Sequence, residues 1–419
     1  MDVFMSQARI GAITFDWYPF DPLVRRMAEA AVDGGYSVDV ICLRQQGEKR
    51  FEVYNEVNIY RLPMNRGFGR SLPITLLSWC WFTFLAGMLI TRLHLKHRYA
   101  VIHVHNMPDF LVFSALFPRL FGAKIILHVQ DVAPELMGVK AGARARKIVT
   151  RLASWQERIS TAFAQHVITV GWPFERLLLQ RGVSEKKLTI ILNSADPRIF
   201  DPALRRPLRP GPYSAENPLI LMYHGTLAER NGLDTALRAL ALALPDAPHV
   251  RFRIKGRGEH LPALIDLTHE LGLDEVVEFS APCPFEELVE FIVQGDVGVI
   301  PYRNDGFMEL VLPTKSYEFA WMQRPMIVSD TPAVRSLFRP EAVAFCAASQ
   351  PESFAHAIVD LYQHSEKLLV MVANAAEDYT PYQWEKMARR YQDLLGILSR
   401  GNQSEKTAEE LRSNIASGV

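Results

Sequence analysis

A chain of 419 residues is too long for one ordinary hydrophobic core, so two domains of roughly 150–200 residues each are expected. Lysine plus arginine and aspartate plus glutamate balance at 46 each, which excludes a whole-molecule field drawing the protein to nucleic acid. The four cysteines, Cys42, Cys80, Cys283 and Cys346, are widely spaced, offer neither a disulfide framework nor a zinc-ligand pattern, and point to a reducing, cytoplasmic compartment.

The opening "MDVFMSQARIGAITF" carries acidic Asp2 and no long apolar run before its first strand, so a secretory leader is not expected. "RIGAITF", the helically spaced "DPLVRRMAEAAVDGGY" and "SVDVICL" make one βαβ unit. "AVIHVHN", "AKIILHV" and "HVITVG" continue as short apolar runs ending in polar or small residues, the pattern of buried parallel strands. Between these groups, residues 72–93, "LPITLLSWCWFTFLAGMLITRL", approach the ~20 residues a bilayer-crossing helix needs. Arg66 and Arg70 precede the run, and Arg92, Lys96 and Arg98 close and follow it. Positive charge on both flanks gives no orientation signal, and a strand follows at once. Three readings stay open: a core helix, a helix lying in a membrane surface with Trp79 and Trp81 at headgroup depth, and, against the flanking charge and the following strand, a helix that spans the bilayer.

Residues 201–218, "DPALRRPLRPGPYSAENP", are proline-rich and aperiodic, as a linker between domains would be. A second alternation follows with strands "LILMYHG", "VRFRIKG", "VVEFSA", "VGVIPY" and "PMIVSD", each succeeded by a helical run. The expected organisation is an N-terminal domain over 1–200, the linker at 201–218, a C-terminal domain over 219–380, a helix over 381–398 and a polar tail over 399–419. Both domains are α/β and doubly wound, with ligands at the carboxyl ends of their strands.

The chemistry concentrates in three turns of the second half. "YHGTLAERNGLD" places Gly225 after a strand and Arg230 in the turn, where a guanidinium fork suits phosphate oxygens. "IKGRGEHL" repeats strand, Lys255, Gly256, Gly258 and helix, and two basic glycine turns in one domain suggest a diphosphate. In "LPTKSYEFAW", Pro313 and Thr314 suit a helix start, Lys315 adds charge there, and Glu318 follows one turn on from Thr314, placed to accept hydrogen bonds from sugar hydroxyls. No Asp-x-Asp metal signature is present.

These motifs, with "DWYPFDPLVRRMAEAAVDGGYSVDVICL" and "VIHVHNMPDFLVFSAL" in the first half, resemble family-4 glycosyltransferases of the GT-B fold over about residues 8–398. The resemblance implies two Rossmann-like domains facing a central cleft. It implies sugar transfer from a UDP- or GDP-linked donor, with retention, without a required metal or cofactor, to a glycan or lipid-linked acceptor. Gly225, Thr226, Arg230, Lys255, Gly256, Gly258, Pro313, Thr314, Lys315 and Glu318 match the donor side; Asp21, His105, Gln130 and Asp131 match the acceptor side. Asp131, Arg230 and Glu318 are the expected catalytic residues. The family's last helix, matched here by "PYQWEKMARRYQDLLGIL", crosses back to the N-terminal domain and would act with the linker as a hinge.

The sequence departs from the family at three places. The common Glu-x7-Glu pair keeps Glu318 but has Leu310 at its first position, with Glu309 beside it. Thr226 and Asn231 stand where many members carry arginine and lysine, and Gln130 stands where a histidine is frequent, leaving Asp131 to orient the acceptor hydroxyl. A silent sugar-nucleotide-binding protein and a sugar-nucleotide 2-epimerase are the alternatives on the same fold. The expected location is cytoplasmic and peripheral at the inner membrane face.

Overall fold

The structure, a computed structural model, describes residues 8–64, 72–140 and 142–400. Arg66, Arg70 and the expected tail beyond Arg400 lie outside the described residues. The chain divides into two compact units: Met1–Val170 with Phe174–Leu192 and Glu385–Val419, and Gly171–Pro173 with Asn193–Trp384.

In the first unit the strands are β1 (Arg9–Trp17), β2 (Ser37–Leu43), β3 (Phe51–Tyr54), β4 (Val57–Leu62), β5 (Val101–His105), β6 (Lys124–Val129), β7 (His166–Thr169) and β8 (Leu188–Ile190). They form a sheet in the order β3-β4-β2-β1-β5-β6-β7-β8 among the described residues, parallel except for the β3–β4 hairpin. Every residue of β5 is buried, His103 and His105 included, because both faces of this parallel sheet are covered and neither is left to solvent. The strand order reverses between β1 and β5, and the residues ending those strands line that switch point.

Helix Pro22–Asp33 follows β1. Its start is set by Asp21, whose carboxylate accepts from the Leu23 and Val24 amides at 2.9 and 3.2 Å, with Pro22 at the first helical position. The apolar run forms helix Leu72–His97, the crossover from β4 to β5. One of its stripes, Phe82, Ala86, Ile90 and Leu93, is buried, and Phe82 meets Phe15 of β1 edge-on at 5.1 Å between ring centroids. A Cβ on Gly11 would lie 3.0 Å from Ile90 Cδ1, so the helix rests closely on β1.

The second unit holds β9 (Leu219–Thr226), β10 (Val250–Arg257), β11 (Val277–Ser280), β12 (Val297–Ile300), β13 (Met326–Ser329) and β14 (Ala344–Cys346), in the order β11-β10-β9-β12-β13-β14 and parallel throughout. Its switch point falls between β9 and β12. Residues 201–218 belong to this unit and are packed on it: Gly211 N donates to Ser365 Oγ at 2.9 Å and Arg209 pairs with Asp296 at 3.2 Å. The buried Arg324 guanidinium donates to the Arg206 and Val293 carbonyls at 3.0 and 2.8 Å, with burial pushing its pKa down to about 10. Proline-rich composition marked an irregular backbone here, but anchoring side chains make it part of the unit's surface. The unit boundary lies at Leu192/Asn193, ahead of the expected position. From Glu385 the chain belongs to the first unit again: Gln392 Nε2 of helix Trp384–Ser399 donates to the Ala30 carbonyl at 2.8 Å, and Tyr391 hydrogen-bonds His103 at 2.8 Å.

Candidate functional site

The second unit brings the end of β9 against the first turns of helix Thr314–Trp321, across a separation of some 90 residues in the chain. Gly225, with φ +118°, carries no side chain there. A Cβ on it would lie 3.6 Å from Lys315 Nζ, so the ammonium sits over the glycine. Lys315 is buried, donates to Tyr302 Oη at 3.3 Å and lies 4.3 Å from the centre of the Tyr223 ring. Burial pulls its pKa down, while Tyr223 and Tyr302 push it up and prevail, so the group stays protonated. No carboxylate pairs with it among the described residues. A buried ammonium held by two tyrosines alone is a cation still seeking an anion.

Glu318 lies one turn beyond Thr314, partly exposed, with Oε2 3.1 Å from His224 Nε2. Burial, and next the Lys315 charge, drive the His224 pKa down to about 3, so the imidazole is neutral and this contact is no ion pair. His224 Nε2 itself has no aligned hydrogen-bond partner among the described residues. His224 was not singled out in the sequence, although it directly precedes Gly225; a titratable residue at the end of a central strand was the available signal.

Several expected donor-side residues make contacts within the protein that their spacing did not show. A Cβ on Gly256 would sit 1.9 Å from the Gly225 carbonyl oxygen, and one on Gly258 would sit 2.1 Å from that of Leu227. These glycines therefore let two strand ends touch; their small size is used by the protein's own backbone. Lys255 is level with His224 on the neighbouring strand and directs its ammonium over the Phe291 ring at 5.3 Å. Arg230, in the turn Glu229–Asn231, is exposed and forms no ion pair among the described residues. Asn231 holds that loop's shape instead of offering charge, donating to the Thr226 carbonyl at 2.6 Å and to Tyr223 Oη at 3.0 Å. Pro313 precedes the helix and Thr314 is exposed at its first position.

In the first unit the end of β5 meets the end of β6. His105 Nδ1 and Gln130 Nε2 are 3.0 Å apart, and Asn106 ties the following residues: its Oδ1 accepts from the Gln130 amide at 2.8 Å while its Nδ2 donates to the Asp131 carbonyl and to Asp109 Oδ1, both at 2.7 Å. Burial raises the Asp109 pKa to about 6. Neither Asn106 nor Asp109 was expected, since only the fold sets "HNMPD" beside Asp131. Asp21 caps helix Pro22–Asp33 with one of its carboxylate oxygens.

His103, His105 and His128 approach one another with ring nitrogens within 4.8 Å. Their rings stack, at 4.1 Å between His103 and His105 and 5.2 Å between His103 and His128. His103 Nε2 and His128 Nδ1 are 3.2 Å apart, Tyr391 holds His103 and Gln130 holds His105, so the trio is a buried, hydrogen-bonded cluster. Burial pushes all three pKa values down, that of His105 to about 3. The unfolded chain then binds more protons below pH 6.5, and each histidine removes stability on acidification by roughly 1.4 kcal/mol per pH unit until its folded value is reached. Asp109 and Glu157, raised by burial to about 6 and about 7, run the opposite way and offset part of this until the unfolded carboxylates protonate near pH 4. Replacing His128 with asparagine isolates one contribution: the slope of unfolding free energy against pH between 4 and 6 is expected to shrink by about one proton's worth. An unchanged slope would mean that His128 is not held neutral.

A glycosyl transferase 4-like domain model matches residues 22–194 and a glycosyl transferases group 1 model matches residues 218–364. The chain belongs to the family-4 glycosyltransferases, and its two parallel-sheet units have the GT-B fold. Among curated relatives, D-inositol 3-phosphate glycosyltransferase of Thermobispora bispora is 22% identical over 324 residues, covering 74% of each chain. The putative colanic acid biosynthesis glycosyl transferase WcaI of Escherichia coli is 26% identical over 210 residues, 48% of this chain and 49% of its own. Sucrose-phosphate synthase from Thermosynechococcus elongatus superposes with a TM-score of 0.74 at 17% identity, over 94% of this chain and 99% of its own. Anabaena HepE, solved with UDP-glucose, gives 0.67 at 12% identity, over 93% and 99%.

Proposed function

We propose that this glycosyltransferase moves a hexosyl group from a UDP- or GDP-linked sugar to a glycan or lipid-linked acceptor, in cell-surface polysaccharide or glycoconjugate synthesis, with retention and without a required metal. Its place is the cytoplasmic face of a membrane. One observation carries the donor reading: the buried, protonated Lys315, with no carboxylate partner among the described residues, lies over the bare backbone of Gly225 at the start of a helix, with Glu318 one turn on. A diphosphate fits the cation and the helix start, and the adjoining sugar fits the carboxylate. HepE, of the same fold, binds UDP-glucose.

In the reaction, negative charge grows on the diphosphate as the glycosidic bond to it breaks. Lys315 is already desolvated and fixed, so it stabilises that charge without reorganising; Arg230 from the neighbouring turn and Lys255 from the end of β10 add positive charge. Glu318 accepts hydrogen bonds from sugar hydroxyls, and the neutral His224 beside it supplies a further polar group. On the acceptor side, Asp131, held through its carbonyl by Asn106, orients the incoming hydroxyl. Incubation with a panel of nucleotide sugars, with and without glycan or lipid-linked acceptors, tests the proposal. Acceptor-dependent release of nucleoside diphosphate is expected; an epimeric sugar nucleotide, or no turnover with any donor, would overturn it. Glu318→Ala is expected to lose roughly 1.5–3 kcal/mol of transition-state stabilisation, and full turnover in the folded variant would remove Glu318 from the donor site.

A further inference from the structure

We infer that the first unit docks on an anionic lipid bilayer through three adjoining elements: helix Leu72–His97, the short helix Leu116–Leu120 with Phe121, and helix Gly142–Phe163. The inference deepens the membrane-face reading and rests on it for its purpose, while its geometry stands independently of the donor chemistry.

Opposite its buried stripe, helix Leu72–His97 presents Leu77, Trp81, Phe84 and Met88, each at least 50% exposed. Helix Gly142–Phe163 repeats the same spacing of four, three and four residues with Ile148, Leu152, Trp155 and Ile159, the first three more than 60% exposed. Leu116, Phe117, Leu120 and Phe121 are exposed as well. The segment Asp109–Ala115 joins the elements: Trp79 packs on Phe110 with ring centroids 6.4 Å apart, Phe113 packs on Phe163 at 5.2 Å, and Arg119 covers Phe163 at 4.5 Å. Large apolar side chains bared on three neighbouring elements far exceed the scattered exposure normal for a soluble surface.

The charges around them select the occupant. From Leu72 to Gln130 the one acid is Asp109, which is fully buried. Along helix Gly142–Phe163 the one acid is Glu157, buried and paired with Arg181. Exposed charge on these elements is thus all basic: Arg92, Lys96, Arg98, Arg146, Lys147, Arg151 and Arg158. An isologous contact between two copies would set these cations against each other, whereas anionic headgroups complement them. By length and composition Pro73–His97 also passes for a membrane-crossing helix. Its Phe82 stripe, however, rests on β1 as part of a crossover between two strands of the same sheet, so the helix lies along the surface with the other stripe in the headgroup region.

Cosedimentation of the full chain with phosphatidylglycerol-containing vesicles and with pure phosphatidylcholine vesicles tests this. Binding is expected to favour the anionic vesicles by at least roughly tenfold and to weaken as salt shortens the screening length. The exposed double variants Trp81→Ser/Phe84→Ser and Leu152→Ser/Trp155→Ser, with thermal unfolding as the fold check, are each expected to weaken binding several-fold while sparing nucleotide-sugar turnover with a soluble acceptor. Absence of vesicle binding at low salt, or self-association that buries the patch instead, would overturn the proposal. So would full binding by the Leu152/Trp155 variant. Because turnover is read separately, a failure of docking and a failure of the transferase reading give different results.

Discussion

Replacing Lys315 with methionine is expected to lower kcat/KM for sugar transfer by roughly 10²–10³-fold while leaving thermal stability unchanged or slightly raised. The two halves of this expectation have one cause. Lys315 is buried between the Tyr223 and Tyr302 rings with no carboxylate in contact among the described residues. Such a charge carries an uncompensated desolvation cost in the empty protein, and methionine, similar in length and apolar, removes it. The same charge becomes favourable when phosphate oxygens arrive, because it is fixed and shielded from water. Steady-state kinetics with the preferred donor, alongside thermal unfolding, separates the effects. A variant that unfolds at markedly lower temperature would make Lys315 a structural residue, and one with full turnover would place the diphosphate elsewhere.

Gly256→Ala is expected to destabilise the second unit by roughly 2–4 kcal/mol and to weaken nucleoside diphosphate binding along with it. The new methyl group would lie 1.9 Å from the Gly225 carbonyl oxygen, a backbone atom that no rotamer change can move away. The ends of β9 and β10 must then separate, and Gly225, over which Lys315 rests, shifts with them. Gly272→Ala supplies the control: it has an unfavourable φ of +66° but nothing within 4 Å of the added atom, and its expected cost is about 1 kcal/mol. Chemical denaturation of both variants decides the matter. Equal costs would show that the strand ends have room for a side chain, and Gly256 would lose its special place.

Local features of this protein were legible from residue order because their causes are local. Buried parallel strands such as "SVDVICL" and "VGVIPY" announce themselves as short apolar runs, and they occur as β2 and, over Val297–Ile300, β12. The start of helix Thr314–Trp321 follows from proline's fixed φ and absent N–H, and Glu318 shares a face with Thr314 because a helix turns once in 3.6 residues. The proline-rich stretch at 201–218 was likewise readable as irregular backbone. That it is docked, through Arg209, Gly211 and Arg206, was not readable, because its partners Asp296, Ser365 and Arg324 lie far along the chain.

Only the tertiary structure decided which residues meet and which atoms remain unsatisfied. It put Lys315 over Gly225, set His224 beside Glu318, let Asp21 cap a helix, and gave Gly256 and Gly258, expected in a ligand cradle, a packing use at the seam between two strand ends. Sequence spacing cannot distinguish those uses of glycine, since both ask only for the absence of a Cβ. Helix Leu72–His97 shows the limit most clearly. Being apolar on all sides, it carries no periodic signal of which stripe faces the core. Packing of Phe82 and Ile90 against β1 made that choice, and by making it left Leu77, Trp81, Phe84 and Met88 bare on the opposite side. Residue order determines how much apolar surface a segment carries; burial depends on neighbours brought in from elsewhere in the chain, and so does the surface left for a partner.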